Sequence, residues 1–186
     1  MRLIVAVTGA SGAILAAKLL EQLTEHETHL IVSDAARAVL RHELGHEDLP
    51  AAFGYGEDDW GSPLASSSFL ADGMVIVPCS MKTLAMVAHG LNSNLIGRAA
   101  DNVLRMGRRL VLVPRETPLS LAAIENMRLA KMAGAIVLPP NMAFYFGPQT
   151  LDDMVGFVVG KILDVLGLPH ALYRRWEGPA TLEDET

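Results

Sequence analysis

Cysteine is almost absent: Cys79 is the single one among 186 residues. A lone thiol excludes a disulfide framework and a multi-cysteine zinc site, and it suits a cytosolic, reducing compartment. Long apolar runs are missing too. Although 51% of the residues are hydrophobic, no stretch approaches the roughly 20 apolar residues of a membrane span. The first apolar run meets glycine too soon for a signal peptide. Cations are the minority charge, 15 Lys and Arg against 21 Asp and Glu, a formal net charge of −6, which argues against a broad nucleic-acid surface. Two phosphate-binding signatures are also lacking. Gly9 and Gly12 do not complete G-x-G-x-x-G, and no Gly-Lys-Ser/Thr follows them.

What is present is organised around the first twenty residues. The β-branched run Leu3-Ile4-Val5-Ala6-Val7 breaks into Thr8-Gly9-Ala10-Ser11-Gly12 and resumes with a helical pattern from Ala13. A continuous apolar run bounded by glycine suits a strand buried on both faces of a parallel sheet. The helix after it begins with unpaired N–H groups and a positive dipole end, a ready anion seat. Two readings stand here: a loop that holds the phosphate of a mononucleotide, or a tight strand-to-helix connection with no ligand.

Further strands are expected at 28–32, 74–77, 110–113 and 135–138, and helices at about 35–43, 83–89, 95–104, 119–132 and 151–166. Ser33 stands at the carboxyl end of the second strand, either as a helix cap or at the ligand edge. Residues 46–68 read as one long irregular stretch containing Phe53, Tyr55 and Trp60. The third strand runs into Pro78-Cys79-Ser80-Met81-Lys82-Thr83, repeating the opening design, so two loops can grip one ligand. Lys82 is the cation of that loop, and Ser80 and Thr83 its hydroxyls. Cys79 reads as a buried structural thiol rather than a nucleophile. Arg98 and Arg105, two helical turns apart, share a face, as a surface ion-pair cluster or an anion clamp. Prolines on either side hold Arg115-Glu116 stiffly at the fourth strand's end. Beyond the fifth strand, Phe144, Tyr145 and Phe146 form an apolar wall. No internal repeat or linker breaks the chain. The whole predicts one α/β domain over 1–186, a three-layer, Rossmann-like or flavodoxin-like doubly wound parallel sheet, with a disordered tail from about 178.

The segments Thr8-Gly9-Ala10-Ser11-Gly12-Ala13, Asp72-Gly73-Met74-Val75-Ile76, Pro78-Cys79-Ser80-Met81-Lys82-Thr83-Leu84-Ala85, Asn94-Leu95-Ile96 with Arg98-Ala99-Ala100-Asp101, Arg115-Glu116-Thr117-Pro118-Leu119, and Pro139-Pro140 with Ala143-Phe144-Tyr145 occur in one order along nearly the whole chain. Together they resemble the UbiX-type flavin prenyltransferases of the flavin-containing cysteine decarboxylase superfamily. That resemblance implies binding of reduced FMN and dimethylallyl monophosphate. The prenyl group would pass to flavin N5 and close onto C6 without a metal, and the product would serve UbiD-type decarboxylases in quinone synthesis or aromatic-acid breakdown. It implies FMN contacts from Gly9, Ala10, Ser11, Ser33, Ser80, Met81, Lys82, Thr83 and Arg115. It implies donor contacts from Tyr145 and Lys161, with Arg98 and Arg105 helping, and catalytic parts for Glu116, Glu43 and Ser11. It further implies a cytoplasmic homo-oligomer, a dodecamer, engaging neither membrane nor nucleic acid.

Four positions depart from the family pattern: Leu15-Ala16 replaces an aromatic-glycine pair, Ser67 a glycine, and Lys161 an arginine. Lysine keeps the charge there but loses the bidentate fork. Two alternatives come with the resemblance. One is a flavin-dependent decarboxylase of the same superfamily, disfavoured because Pro139-Pro140-Asn141-Met142 lacks the order Pro-x-Met-Asn. The other is a non-catalytic FMN-binding accessory subunit of an aromatic-acid decarboxylase.

Overall fold

Alternation along the central strands builds two cores at once. In β1 (Arg2–Val7), Leu3, Val5 and Val7 enter one core while Ile4 and Ala6 enter the other. β4 (Gly73–Cys79) repeats this with Val75 and Val77 against Met74 and Ile76, and β5 (Arg109–Pro114) with Val111 and Val113 against Leu110 and Leu112. Period-two side chains with both faces apolar leave such a strand stable only between two helical layers. The computed structural model describes residues 1–178. It shows that arrangement: an all-parallel six-stranded sheet in the order β3-β2-β1-β4-β5-β6. The expected tail, from residue 179 on, lies outside the described residues.

One face is covered by α1 (Ala13–Gln22), α2 (Asp34–Leu44) and α6 (Leu151–Leu166). The other is covered by α3 (Met81–Ala88), α4 (Leu95–Arg105) and α5 (Leu121–Met132). Leu3, Ile76 and Leu112 are fully buried, so truncating any of them to alanine costs about 2–5 kcal/mol. Side-chain caps from Ser33, Ser80, Asn94, Ser120 and Thr150 start all the helices but α1. No described helix is long and apolar enough to cross a membrane.

Two expectations about elements need correction. Residues 46–68 are not wholly irregular. β3 (Phe53–Gly56) pairs in parallel with β2 (Glu27–Val32), and a 3-10 turn follows at Pro63–Ala65. The strand's sequence, two aromatics alternating with glycine, lacks the apolar run that marks the buried strands. It is an edge strand held by stacking: His29 lies on Phe53 at 4.7 Å and bonds the Tyr55 hydroxyl through Nδ1 at 3.1 Å. The last strand is also shorter than expected, β6 being Ile136–Val137 only, because the chain leaves the sheet at Leu138-Pro139-Pro140.

The strand order reverses between β1 and β4. Loops leaving their carboxyl ends therefore run to opposite faces and open a crevice at that edge, where doubly wound sheets take their ligands.

Candidate active site

Thr8, the first residue past β1, fastens the two loops of the crevice together. Its N–H and hydroxyl both donate to the Pro78 carbonyl, at 3.2 and 2.8 Å, and its Oγ1 accepts the Ser80 N–H at 2.8 Å. Sequence reasoning gave Thr8 no role of its own. The available signal was a small hydroxyl residue placed where an apolar strand meets glycine. Gly9 follows because nothing larger fits: a Cβ there would stand 2.5 Å from the Ala35 Cβ. That close approach lays the first loop against the start of α2, beside Ser33. The Ser33 Oγ accepts the Ala36 N–H at 3.1 Å, which leaves its own proton free to donate to an anion. Across the crevice Ser80 caps α3, its Oγ 3.1 Å from Thr83 Oγ1, with Met81 and Lys82 opening the helix.

The first N–H groups of α1 are held by one of the chain's own carboxylates. Gly12 adopts φ 111° and offers no side-chain cap, and a carboxylate from α2 supplies one instead. Glu43 accepts the Gly12 N–H at 3.0 and 3.2 Å and the Ala13 N–H at 2.8 Å. Burial acts to raise the Glu43 pKa. Hydrogen bonds from the Ser11 side chain and the two backbone N–H groups, with the charge of Arg115, outweigh it and hold the carboxylate below its ordinary range. Ser11, Glu43 and Arg115 are thus brought together. Arg115 donates from Nε to the Ser11 carbonyl at 3.3 Å, and its backbone N–H is fixed to the Cys79 carbonyl at 3.2 Å. Cys79 itself is fully buried, and burial pushes its thiol pKa far up, which removes it as a nucleophile.

Arg115 and Glu116 line a cleft of about 450 Å³ with Met127 and Pro139 to Met142, at the carboxyl ends of β5 and β6. Glu116 is exposed and accepts the Thr117 N–H at 3.0 Å.

Tyr145 and Lys161 meet around one aromatic cluster. The Tyr145 ring stands edge-on to Phe157 at 6.0 Å and to Trp176 at 5.9 Å. The Lys161 ammonium lies 5.3 Å from the Phe157 centroid and 4.7 Å from that of Tyr173. Lys161, Phe157, Leu138 and Asp164 border a further hollow of about 350 Å³. Tyr173 and Trp176, in the segment after α6, were not singled out from sequence; only their aromatic character beside two arginines marked them.

Arg98 and Arg105 do not join this group within one chain. Both sit on α4, across the sheet from α6, and both pair with Asp101, at 3.5 and 3.2 Å. Arg98 also donates to the Ala65 carbonyl at 2.9 Å and Arg105 to Asn102 Oδ1 at 2.9 Å. Of the two readings their shared face allowed, the ion-pair cluster is the one seen within this chain, with Asp101, one turn from each, as the partner. Among the described residues no group of three or more His, Cys, Asp or Glu is placed to hold a metal ion.

Comparison with known proteins gives a consistent answer. The family model described as Flavoprotein matches residues 1–163. The flavin prenyltransferase UbiX of Thermoplasma acidophilum is 44% identical over 181 residues, covering 95% of this chain and 100% of that protein. A dodecameric FMN-dependent UbiX-like decarboxylase from Escherichia coli O157:H7 superposes with a TM-score of 0.90 at 45% identity, covering 96% of this chain and 100% of that one. A UbiX (PadA1) crystallised with FMN and dimethylallyl pyrophosphate gives a TM-score of 0.90 at 42% identity, covering 95% and 97%. With that identity sustained from end to end, the chain belongs to the flavoprotein family, in its UbiX flavin prenyltransferase group.

Proposed function

We propose that this protein transfers a dimethylallyl group from dimethylallyl monophosphate to reduced FMN, producing the prenylated flavin that UbiD-type decarboxylases use. The observation that carries this reading is the meeting of Ser11, Glu43 and Arg115 at the crevice between β1 and β4, with Glu116 and the aromatic cluster around Tyr145 on the same sheet edge.

The residues fit a flavin mononucleotide. Gly9, Ala10 and Ser11 with the Ser33 hydroxyl form one anion-binding wall, and Ser80, Met81, Lys82 and Thr83 form the other. Arg115, held by the Ser11 carbonyl, spans toward the second wall's strand. Reduced flavin supplies the nucleophilic positions N5 and C6.

The chain's own side chains do the rest. Lys161 neutralises charge as the donor's ester bond breaks and phosphate leaves. Tyr145 and its aromatic neighbours present π faces to a cation-like allyl group and exclude water. Ring closure would need one proton delivered to the allyl double bond and one removed from C6; Glu116 is the residue to move them, and Glu43 with Ser11 keeps a second carboxylate and a hydroxyl beside the reacting edge.

Arg98 and Arg105 lie on the wrong side of the sheet to serve the donor of their own chain, so in this reading they act on a neighbour's site. That requires an oligomer, and the dodecamer of the E. coli relative supports such an assembly here. The cytoplasm is the compartment that suits a lone buried thiol. The domain spans the chain as one flavoprotein unit.

In anaerobic turnover assays, Lys161→Ala should raise the donor KM by about tenfold or more, the loss of one charge-assisted contact, with FMN affinity unchanged. An unaltered donor KM would remove Lys161 from the site.

A further inference from the structure

The segment after α6 folds back along the helix and is fastened at one carboxylate. Asp164 accepts the Tyr173 hydroxyl at 2.5 Å and both terminal nitrogens of Arg175, at 2.6 and 3.3 Å. It also accepts His170 Nε2 at 3.1 Å. The Leu172 N–H donates to His170 Nδ1 at 3.2 Å, so the imidazole proton sits on Nε2 and points at Asp164. Gly160 makes room for this fold-back, since a Cβ there would fall 2.6 Å from the Tyr173 ring and 2.7 Å from that of His170.

Lys161 is one turn from Asp164 on the same helix, the spacing at which a lysine ordinarily pairs with an acid. Here the pair stays a long ion contact: Nζ stands 3.9 Å from Oδ2, beyond hydrogen-bond reach, while Arg175 and Tyr173 bond the carboxylate directly. The ammonium rests instead over the Tyr173 and Phe157 rings with its side chain 41% exposed. Burial acts to raise the Asp164 pKa, yet Arg175, Tyr173 and His170 hold it far below the carboxylate range, so it is a full anion with competing suitors. The Tyr173 hydroxyl beside Lys161 keeps the ammonium protonated against the opposing pull of partial burial.

We propose that Arg175 is a positioning residue: by saturating Asp164 it keeps Lys161 from closing onto that carboxylate and leaves its ammonium able to turn to the phosphate of the prenyl donor. The proposal rests on the assignment of Lys161 to that phosphate. It carries a consequence for the arginine-to-lysine exchange at this position. A lysine offers a point charge that a neighbouring carboxylate can capture, and the Arg175–Asp164 pair prevents the capture.

The Arg175 side chain is exposed, and Tyr173 and His170 still hold Asp164 without it, so Arg175→Gln should fold and bind FMN normally. It should raise the donor KM about tenfold, with kcat within about twofold, as Asp164 draws Lys161 in. Arg175→Lys, which keeps a cation on Asp164, should retain the parent KM. The deciding variant is Asp164→Asn combined with Arg175→Gln. With the competing charge gone, the donor KM should return to within about threefold of the parent, whereas a merely structural tie would leave the double variant as poor as the single one or worse. The proposal is overturned if Arg175→Gln leaves KM unchanged while Lys161→Ala raises it, or if the double variant shows no rescue. Were Lys161→Ala itself without effect in an FMN-loaded protein, the donor-site assignment would be what failed.

Discussion

The Glu43 carboxylate reaches from α2 to the first turn of α1 and accepts the Ala13 N–H at 2.8 Å. One residue thereby caps a helix whose own N-cap, Gly12, has no side chain to do so, and stands as an anion beside Ser11 and Arg115. The lowered pKa sets the sign of its pH dependence. A depressed native value means the stabilisation is fully present above the ordinary carboxyl pKa of 4.5 and is lost as pH falls through the native value. Thermal unfolding of the parent and of Glu43→Ala, followed from pH 7 to pH 3, should show a Tm gap that is widest at neutral pH and closes below about pH 4.5. A gap constant over that range would mean the cap does not depend on the charge.

Gly9→Ala tests the packing of the first loop on α2. Its Cβ would meet the Ala35 Cβ at 2.5 Å, and both atoms belong to short side chains that have no rotamer to escape into. The loop must shift, at a cost of about 1–3 kcal/mol, and it carries Ala10 and Ser11 with it. FMN affinity should fall at least as steeply as stability, read by flavin fluorescence and by denaturant titration. Unchanged FMN binding would separate this loop from the cofactor.

Gly160→Ala should behave differently. The added methyl collides with Tyr173 and His170 rather than with the sheet, so it lifts the segment after α6 while leaving both loops of the crevice alone. The donor KM should rise severalfold with FMN affinity intact. A loss of FMN binding would show that the two regions are more tightly coupled than their separate contacts indicate.

Glu116→Gln keeps size and removes the base. General acid–base groups typically contribute about 10²–10⁴-fold, and kcat should fall within that range in single-turnover experiments, with FMN and donor affinity preserved. Full turnover in this variant would reassign the proton transfer, with the released phosphate as the alternative acceptor.

The contrast between these residues shows what a sequence discloses. β1, β4 and β5 were legible because burial on both faces demands unbroken apolar runs, and the helices through their periodic stretches, helped at α2 and α4 by the caps Ser33 and Asn94. β3 escaped notice since Phe53-Gly54-Tyr55-Gly56 owes its strand to stacking on His29, a contact made across 24 residues of chain. The heptad spacing of Arg98 and Arg105 correctly put them on one face, but which side of the sheet that face occupies is a matter of topology. Residue type alone suggested that the α1 terminus would hold a phosphate. A carboxylate satisfies the same donors, and only the packing of α2 on α1 shows that it belongs to Glu43. The clasp at Asp164 was illegible for a similar reason: Tyr173 and Arg175 matter through where the chain turns back.

The most direct measurement is the mass of the flavin extracted after anaerobic incubation of the purified protein with reduced FMN and dimethylallyl monophosphate. A gain of one C5H8 unit, lost when Glu116→Gln and Tyr145→Phe are combined, is the predicted result. Flavin that stays tightly bound and unmodified would contradict the transferase reading and favour a carrier or decarboxylase of the same superfamily.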